Sequence, residues 1–149
     1  MKLARTIRFD PSDLNVFPIA AEEGEWAVVG TFCFAAMPPS DLTGKVKQAF
    51  NNGFLGCQSF GFSTLVSVVR ARPKDIQTIT NHLANHFVEK FGAPSKAAAS
   101  NAISDEIEFM AELCEEHKTG TLLAIQRNWD EDGIKAVSYT HLRAHETRT

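Results

Sequence analysis

The sequence predicts an α+β domain with a single, mainly antiparallel sheet and about three helices packed on one face of that sheet. Segments with the alternating apolar pattern of strands lie near both ends of the chain, whereas apolar residues spaced three or four apart lie in the middle. The expected order is β-β-β-α-β-α-α-β-β. This order lacks the regular β-α-β alternation of a parallel sheet, which favours antiparallel pairing.

Three strands are expected in the first quarter of the chain. Residues 2–9 alternate in the manner of a strand, and residues 10–13 have the composition of a turn. Residues 16–20 are predicted to form a short strand at the sheet edge, because Pro18 lacks an N–H group. Residues 26–34 are the strongest strand candidate. They are apolar on both sides and should lie inside the sheet.

The first predicted helix begins at Ser40, a favourable N-cap residue, and ends at Asn52. Gly53 then fits the left-handed position that often follows a helix. Residues 62–70 are rich in valine and threonine and predict a strand. The second helix spans residues 73–91 and has a proline in its first turn, as expected.

The second and third helices have apolar stripes. The stripe of the second consists of Ile76, Ile79, Leu83 and Phe87. The third helix, residues 95–117, has one stripe of Ile103, Ile107, Met110 and Cys114 and an offset stripe of Ala102, Phe109 and Leu113. Two stripes need two packing partners, which are the sheet and either the second helix or another subunit.

The chain is predicted to end its native fold in a hairpin. Residues 121–127 form a strand, residues 129–133 a turn, and Ile134 begins a final strand. Residues 137–147 (VSYTHLRAHET) resemble one reading frame of the transposon-end adapter used in short-read sequencing libraries. We therefore expect one domain at residues 1–136 and a non-native tail at 137–149, as metagenomic assembly would produce, with the natural C-terminus missing.

The predicted tail contains the most metal-like motif of the chain. His141 and His145 stand four residues apart, with Glu146 next to the second histidine, a spacing that could hold zinc on a helix. Because segments of foreign origin are excluded from functional interpretation, we predict no metal site there.

The charge and cysteine pattern limits the function classes. The formal net charge is −3. Without the tail, Lys+Arg falls from 15 to 13 and Asp+Glu from 18 to 17, which gives about −4. A mildly acidic chain without a basic run is a poor candidate for binding nucleic acid or anionic membranes. Three widely spaced cysteines and the lack of a signal peptide predict a cytoplasmic protein.

The most unusual segment is residues 53–61, which contains three glycines but also large apolar residues. It either shapes a pocket or partner surface, or it folds under the helices and completes the core. We favour the interpretation that this segment completes the core, and we retain the pocket or partner surface as the alternative. The candidate interaction or pocket residues are Gly53, Phe54, Leu55, Gly56, Cys57, Phe60, Gly61, Phe109 and Leu113.

Other reactive side chains have ordinary explanations. Cys57 could be a nucleophile if a base such as His82 or His86 lay beside it, although a buried, unreactive thiol is expected. The two histidines fit a solvated or boundary pair better than a zinc site. Cys114 and His117 form only half of a metal site. A solvated face is expected for Asp105, Glu108, Glu112 and Glu116. No catalytic residue, metal or cofactor is predicted.

Four segments carry a resemblance to a family of short, uncharacterised bacterial proteins classed as a domain of unknown function. The segments are residues 6–10 (TIRFD), 24–28 (GEWAV), 48–56 (QAFNNGFLG) and 59–66 (SFGFSTLV). The resemblance covers nearly all of residues 1–136 and implies no catalytic residues. It implies an accessory role, because such genes lie near those for a biotin/lipoate-ligase-like protein and for accessory proteins of molybdenum or iron–sulfur oxidoreductases.

The expected function is that of a non-catalytic cytoplasmic accessory protein, linked to maturation of a molybdenum or iron–sulfur oxidoreductase. It would act by contact with a protein partner or as a homo-oligomer, without nucleic acid or membrane. The alternative is a small-ligand-binding domain or minor enzyme that uses residues 53–61 and Cys57. A fragment of a larger enzyme is a third hypothesis.

Overall fold

A computed structural model describes residues 1–8 and 11–141 of the chain, and only the backbone of His141. The described part has one seven-stranded sheet in the order β4-β3-β2-β1-β5-β6-β7, in which every neighbouring pair is antiparallel. The strands are β1 Lys2–Ile7, β2 Trp26–Val28, β3 Phe54–Gly56, β4 Phe62–Ser63, β5 Leu65–Arg70, β6 Leu122–Asp130 and β7 Gly133–His141. The α+β prediction with a single antiparallel sheet is confirmed.

Four α-helices accompany the sheet in the described residues, where about three were expected. They are α1 Ser12–Val16, α2 Gly44–Asn52, α3 Pro73–Lys90 and α4 Ser100–Glu115. Three single turns of 3₁₀ helix are Thr31–Phe34, Pro39–Asp41 and Ala97–Ala99. The additional helix, α1, has only five residues, which is too short for apolar periodicity to reveal it.

The main core lies between the sheet and the two long helices. Ile79 and Leu83 of α3 are buried, as are all four residues of the first stripe predicted for α4. This stripe packs on β1, β2 and α3. In the offset stripe, Ala102 and Phe109 remain exposed and Leu113 is half-buried. Coverage of that stripe by another subunit therefore stays a prediction.

The predicted strand at residues 26–34 ends early. Only Trp26–Val28 is a strand, and Thr31–Phe34 is a 3₁₀ turn. Gly30 between them has φ 81°, and a Cβ at this position would lie 2.6 Å from the Cβ of Leu55. The chain thus turns at Gly30 while staying in the core. An apolar run cannot distinguish a buried strand from a buried turn.

The predicted edge strand at residues 16–20 is wrong. Residues up to Val16 belong to α1, and only Ala20 forms an isolated parallel bridge, with Phe62. The buried Asp13 carboxylate holds α1 in place by accepting hydrogen bonds from the hydroxyl and N–H of Thr64, at 2.6 and 3.3 Å. Of the predicted first strand and turn, Phe9 and Asp10 lie outside the described residues.

Two predicted features around α2 also change. The helix begins at Gly44 and not after Ser40, because Pro39–Asp41 forms a separate 3₁₀ turn. Gly53 has φ −96° and ψ 124°, an extended conformation in place of the predicted left-handed one. The reason is that the chain passes from α2 directly into β3, which begins at the next residue.

Arg127 joins α2 to the turn that follows β2. It is fully buried, at 0% exposure, on the same side of β6 as Leu123 and Ile125. Its Nη1 donates to the carbonyl oxygens at the end of α2, those of Ala49 (3.2 Å), Phe50 (2.9 Å) and Gly53 (2.9 Å). Its Nη2 donates to Val29 and its Nε to Thr31. Burial lowers its pKa to about 10, so the guanidinium still carries its charge at neutral pH.

The C-terminal hairpin is confirmed with a tighter turn than expected. Asp130 pairs with Gly133, so two residues connect β6 and β7, and Trp129 belongs to β6. Beyond Ala136, which packs against the core, β7 continues to His141 and thus enters the predicted tail. Val137 and Tyr139 there are 60% and 49% exposed. The foreign origin of the tail stays a prediction.

Candidate functional site

Residues 53–61 build a β-hairpin and not an irregular loop. Leu55 pairs with Phe62, and the N–H of Gly56 donates to the carbonyl of Gly61 at 2.9 Å. Phe54 and Leu55 are buried in the main core. The first half of the segment therefore completes the core. The second half forms the hairpin tip, residues 57–61, which has a different role.

A buried carboxylate holds the hairpin tip. Glu25 is 4% exposed, and its Oε1 accepts from the N–H groups of Gln58 (2.8 Å) and Ser59 (2.6 Å). Its Oε2 accepts from the N–H of Glu22 (2.6 Å) and from the hydroxyl of Ser59 (2.5 Å). All four donors are uncharged groups. Because hydrogen bonds to a carboxylate are strong, the conformation of the tip is set by this one side chain.

Close packing explains two glycines of the hairpin. A Cβ at Gly56 would lie 2.7 Å from Oε1 of Glu25. A Cβ at Gly61 would lie 2.5 Å from the backbone of Ala20, whose segment runs beside β4. Both positions exclude any side chain, so these glycines serve the packing of the hairpin and do not form a ligand-binding loop by themselves.

Phe60 connects the tip to α3. Within the described residues it is the one non-glycine with positive φ, 59°, a conformation that bulky residues rarely adopt. Its ring stacks on the imidazole of His86, with centroids 3.8 Å apart and planes 4° apart. The ring of Phe91 meets His86 edge-on at 5.2 Å. The strained backbone thus places one aromatic ring against α3.

A cleft of about 600 Å³ opens between the tip and α3. We call it the hairpin cleft. Its lining residues are Ile19, Gln58, Ser59, Phe60, His82, Asn85, His86, Glu89, Lys90 and Phe91. Behind it, Phe32 contacts Phe91 and Phe87 at 5.3 and 4.7 Å between centroids, which anchors the aromatic wall to the core.

The wall of the hairpin cleft carries a neutral histidine. Burial lowers the pKa of His86, Lys90 lowers it further, and Glu89 partly offsets this shift. At neutral pH the imidazole therefore has one N–H donor and one acceptor nitrogen. Among the described residues of the lining, the charged ones are Glu89 and Lys90, which have opposite signs, so their charges balance.

The three cysteines are protonated thiols at neutral pH. Burial raises the pKa of Cys33 to about 12 and that of Cys114 to about 11. Burial and then the nearby Glu25 carboxylate raise the pKa of Cys57 still further. Cys57 lies in the core and does not line the hairpin cleft. The structure thus brings Phe60, and not Cys57, to His86.

The side chains that the sequence offered as metal ligands do not form a metal site within the described residues. No group of three or more His, Cys, Asp or Glu side chains in this part of the chain could hold a metal ion. His82 and His86 line the same cleft as a pair. Cys114 is buried, and the carbonyl of His117 accepts a hydrogen bond from Lys2 at 2.8 Å. The side chain of His141, together with His145 and Glu146, lies outside the described part.

Phe109 and Leu113, the other candidate interaction residues, lie on α4 and do not line the hairpin cleft. Phe109 is 40% exposed. Asp105, Glu108, Glu112 and Glu116 are all exposed, as expected for a solvated face. The hairpin cleft and the offset stripe of α4 are therefore separate features of the described surface.

Sequence reasoning missed Glu25 and Arg127. Glu25 stands in an acidic turn, and nothing in the local pattern separates it from its exposed neighbours Glu22 and Glu23. Arg127 did have a signal, because it follows Leu123 and Ile125 at the spacing of inward-facing strand residues. A charged residue at such a position indicates a buried group with dedicated partners.

Comparison with known protein families identifies the family of the chain. Residues 1–148 match a protein-family model described as "Family of unknown function (DUF6505)". No curated protein and no solved structure matches the chain. Among the described residues, the helices are all too short or too polar to cross a membrane.

Proposed function

The chain belongs to DUF6505, a family of unknown function, and from this premise we propose that it is a non-catalytic binding protein. The hairpin cleft would receive a segment of a protein partner. The observation that carries the proposal is Phe60, whose backbone has an unfavourable positive φ and whose ring stacks on His86. Strain of this kind persists where the surrounding structure enforces it, and it is concentrated at functional sites.

The rigidity of the hairpin cleft supports binding. Four hydrogen bonds to Glu25 hold one wall, and a regular helix of 18 residues provides the other. A site that is already ordered loses little conformational entropy when a ligand binds. The cleft would therefore recognise a partner without rearrangement.

The chemistry of the site favours binding over catalysis. Cys57 is buried with a raised pKa, so the thiolate that a nucleophile needs is scarce at neutral pH. The polar groups that line the hairpin cleft are mainly neutral amides, a hydroxyl and imidazoles, which suit recognition by hydrogen bonds.

A cytoplasmic location and an accessory role in maturation of a molybdenum or iron–sulfur oxidoreductase belong to the same proposal. They rest on the resemblance of the sequence and on the three unpaired cysteines, which fit a reducing compartment. The partner would be a protein of that maturation system.

The test is partner capture in a bacterium that carries a natural homologue. Tagged chain is compared with Phe60→Asn, which tolerates the backbone conformation but removes the ring, and with His86→Gln. His117→Gln, the same change on a histidine that does not line the hairpin cleft, is the matched control. We expect a defined partner to be recovered with the native chain and the control, and at least about tenfold less with both cleft variants, as for hot-spot residues. Equal recovery with all four chains would contradict the proposal.

A second candidate is a small-ligand-binding protein that uses the same cleft. Its volume of about 600 Å³ is within the range of roughly 300 to 1,000 Å³ usual for small-molecule sites. Native mass spectrometry of chain purified from the same bacterium distinguishes the two. A bound small mass that is absent from Phe60→Asn would favour this candidate over the protein partner.

A further inference from the structure

We infer that the hairpin cleft takes an uncharged aromatic side chain with a polar edge, tyrosine or tryptophan, from the partner protein. This inference rests on the proposed function and adds the chemistry of the residue that is recognised. It follows from the shape of the aromatic wall, from the kind of polar groups beside it and from the balance of charge.

The aromatic wall supplies the contact surface. Phe60 and His86 stack in parallel and are both half-buried, so part of each ring remains open to the cleft. Phe91 stands edge-on to His86 and is exposed. Aromatic groups attract one another through offset stacking and edge-to-face contacts. A planar ring gains both kinds of contact here, and an aliphatic side chain gains neither.

The polar groups of the cleft favour a partner that also forms hydrogen bonds. Gln58 and Asn85 each present an amide with donors and an acceptor, and the neutral imidazole of His86 has one donor and one acceptor nitrogen. A phenylalanine ring would displace water from these groups and offer no hydrogen bond in return. A phenol or indole edge can bond with them, which favours tyrosine or tryptophan.

The charge balance argues against ionic ligands. Among the described residues that line the cleft, Lys90 is the one lysine or arginine, and Glu89 beside it has the opposite charge. Phosphate and carboxylate groups are usually held by several basic side chains or by a bidentate arginine. A cationic side chain would be attracted by Glu89 but repelled by Lys90, so it gains no net electrostatic attraction either.

The experiment uses the full chain, labelled with ¹⁵N, and capped pentapeptides of the form Ala-Ala-X-Ala-Ala with X as Trp, Tyr, Leu, Glu or Lys. Amide shifts of the hairpin tip and α3 are followed in titrations at pH 7.5. We expect the Trp and Tyr peptides to bind about 3- to 10-fold more tightly than the Leu peptide, as one aromatic contact provides. The Glu and Lys peptides should bind no better than Leu.

Variants locate the contact. Phe60→Asn and His86→Gln should remove the preference for Trp and Tyr, and His117→Gln, outside the cleft, should retain it. The variant Phe60→Asn could change the conformation of the hairpin tip as well as remove the ring. His86→Gln therefore provides an independent test, because His86 lies within the regular helix α3. Thermal unfolding of each variant confirms that it is folded.

The outcomes separate this inference from the proposed function. Equal binding of the Trp, Tyr and Leu peptides, or no binding of any, would overturn the inference, even where partner capture still depends on the cleft. Free indole or phenol binding as tightly as the peptides would also overturn it and would indicate a small aromatic molecule. If the cleft variants capture the partner as well as the native chain does, the proposed function itself is contradicted.

Discussion

Single side chains determine the shape of the candidate site. The buried carboxylate of Glu25 accepts hydrogen bonds from the N–H groups of three residues and from one hydroxyl. Phe60 and His86 then stack because the tip holds the phenyl ring in place. A change at one of these positions should therefore alter the cleft without changing the rest of the fold.

The substitution Glu25→Gln should destabilise the protein by about 2–4 kcal/mol, since the new amide group replaces an acceptor oxygen with a donor that faces other donors. Urea unfolding followed by circular dichroism measures the change. The control is Glu23→Gln, two residues earlier in the chain. The Glu23 side chain is exposed, so this change should alter the free energy of unfolding by less than about 0.5 kcal/mol. Equal stability of both variants would show that the tip does not depend on Glu25.

Acidification should act through His86. Its pKa in the folded protein is below the ordinary value of 6.5, so the unfolded chain takes up the proton first as the pH falls. As the pH falls, the folding stability should therefore decrease from just above pH 6.5 until the pH reaches the pKa of His86 in the folded protein. At lower pH this group should cause no further change in stability. An NMR titration of the imidazole should give a midpoint below 6.5. A native chain that loses no more stability than His86→Gln between pH 7.5 and 5.5 would contradict this.

At the scale of elements, Arg127 connects parts that are distant in the chain. It donates to the carbonyl groups at the end of α2, where the helix dipole favours a positive charge, and to Val29 after β2. Its guanidinium also lies 5.2 Å from the centre of the Phe34 ring. The charge is thus accommodated by carbonyl dipoles and an aromatic ring.

The substitution Arg127→Met should cost about 3–5 kcal/mol, because several buried carbonyl groups lose their donor at once. Arg127→Lys should cost less, about 2 kcal/mol, since an ammonium keeps the charge but cannot reach as many acceptors. Arg70→Met, the same change on an exposed arginine, is the control. Denaturant unfolding measures all three, and a loss below 1 kcal/mol for Arg127→Met would be inconsistent with the hydrogen bonds described.

The offset stripe of α4 gives a separate prediction. In a monomer, Phe109→Ser should change the stability by less than about 1 kcal/mol, because the ring is only partly buried and serine is a moderate helix former. Thermal unfolding at two protein concentrations and light scattering check this result. A large loss that shrinks on dilution, as the assembly of the native chain dissociates, would instead show that a second copy covers the stripe, the alternative that the sequence left open.

At the scale of the whole molecule, the two edges of the sheet differ. The outer edge of β4 is two residues long and is bridged by Ala20. The edge at β7 is nine residues long, and its second half carries exposed Val137 and Tyr139. The core is therefore organised around the interior strands, and the last residues of β7 contribute backbone pairing more than side-chain packing.

Ending the chain at Ala136 should leave a cooperatively folded domain. The deletion removes backbone pairing along Leu122–Gln126 but no residue of the two core clusters. We expect the melting temperature to fall by about 5–10 °C, which corresponds to a loss of about 1–3 kcal/mol. Near-UV circular dichroism and calorimetry compare the two chains. Loss of the cooperative transition would show that residues beyond Ala136 are required for folding.

The sequence alone determined the α+β class, the burial stripes of α3 and α4, and the final hairpin, because these follow from periodic patterns within one segment. The tertiary structure decided the rest. Glu25 meets Ser59 across 34 residues and Arg127 meets Val29 across 98. The stacking of Phe60 on His86 likewise joins separate elements. Such contacts depend on where the strands and helices pack, and no pattern within a single segment contains that information.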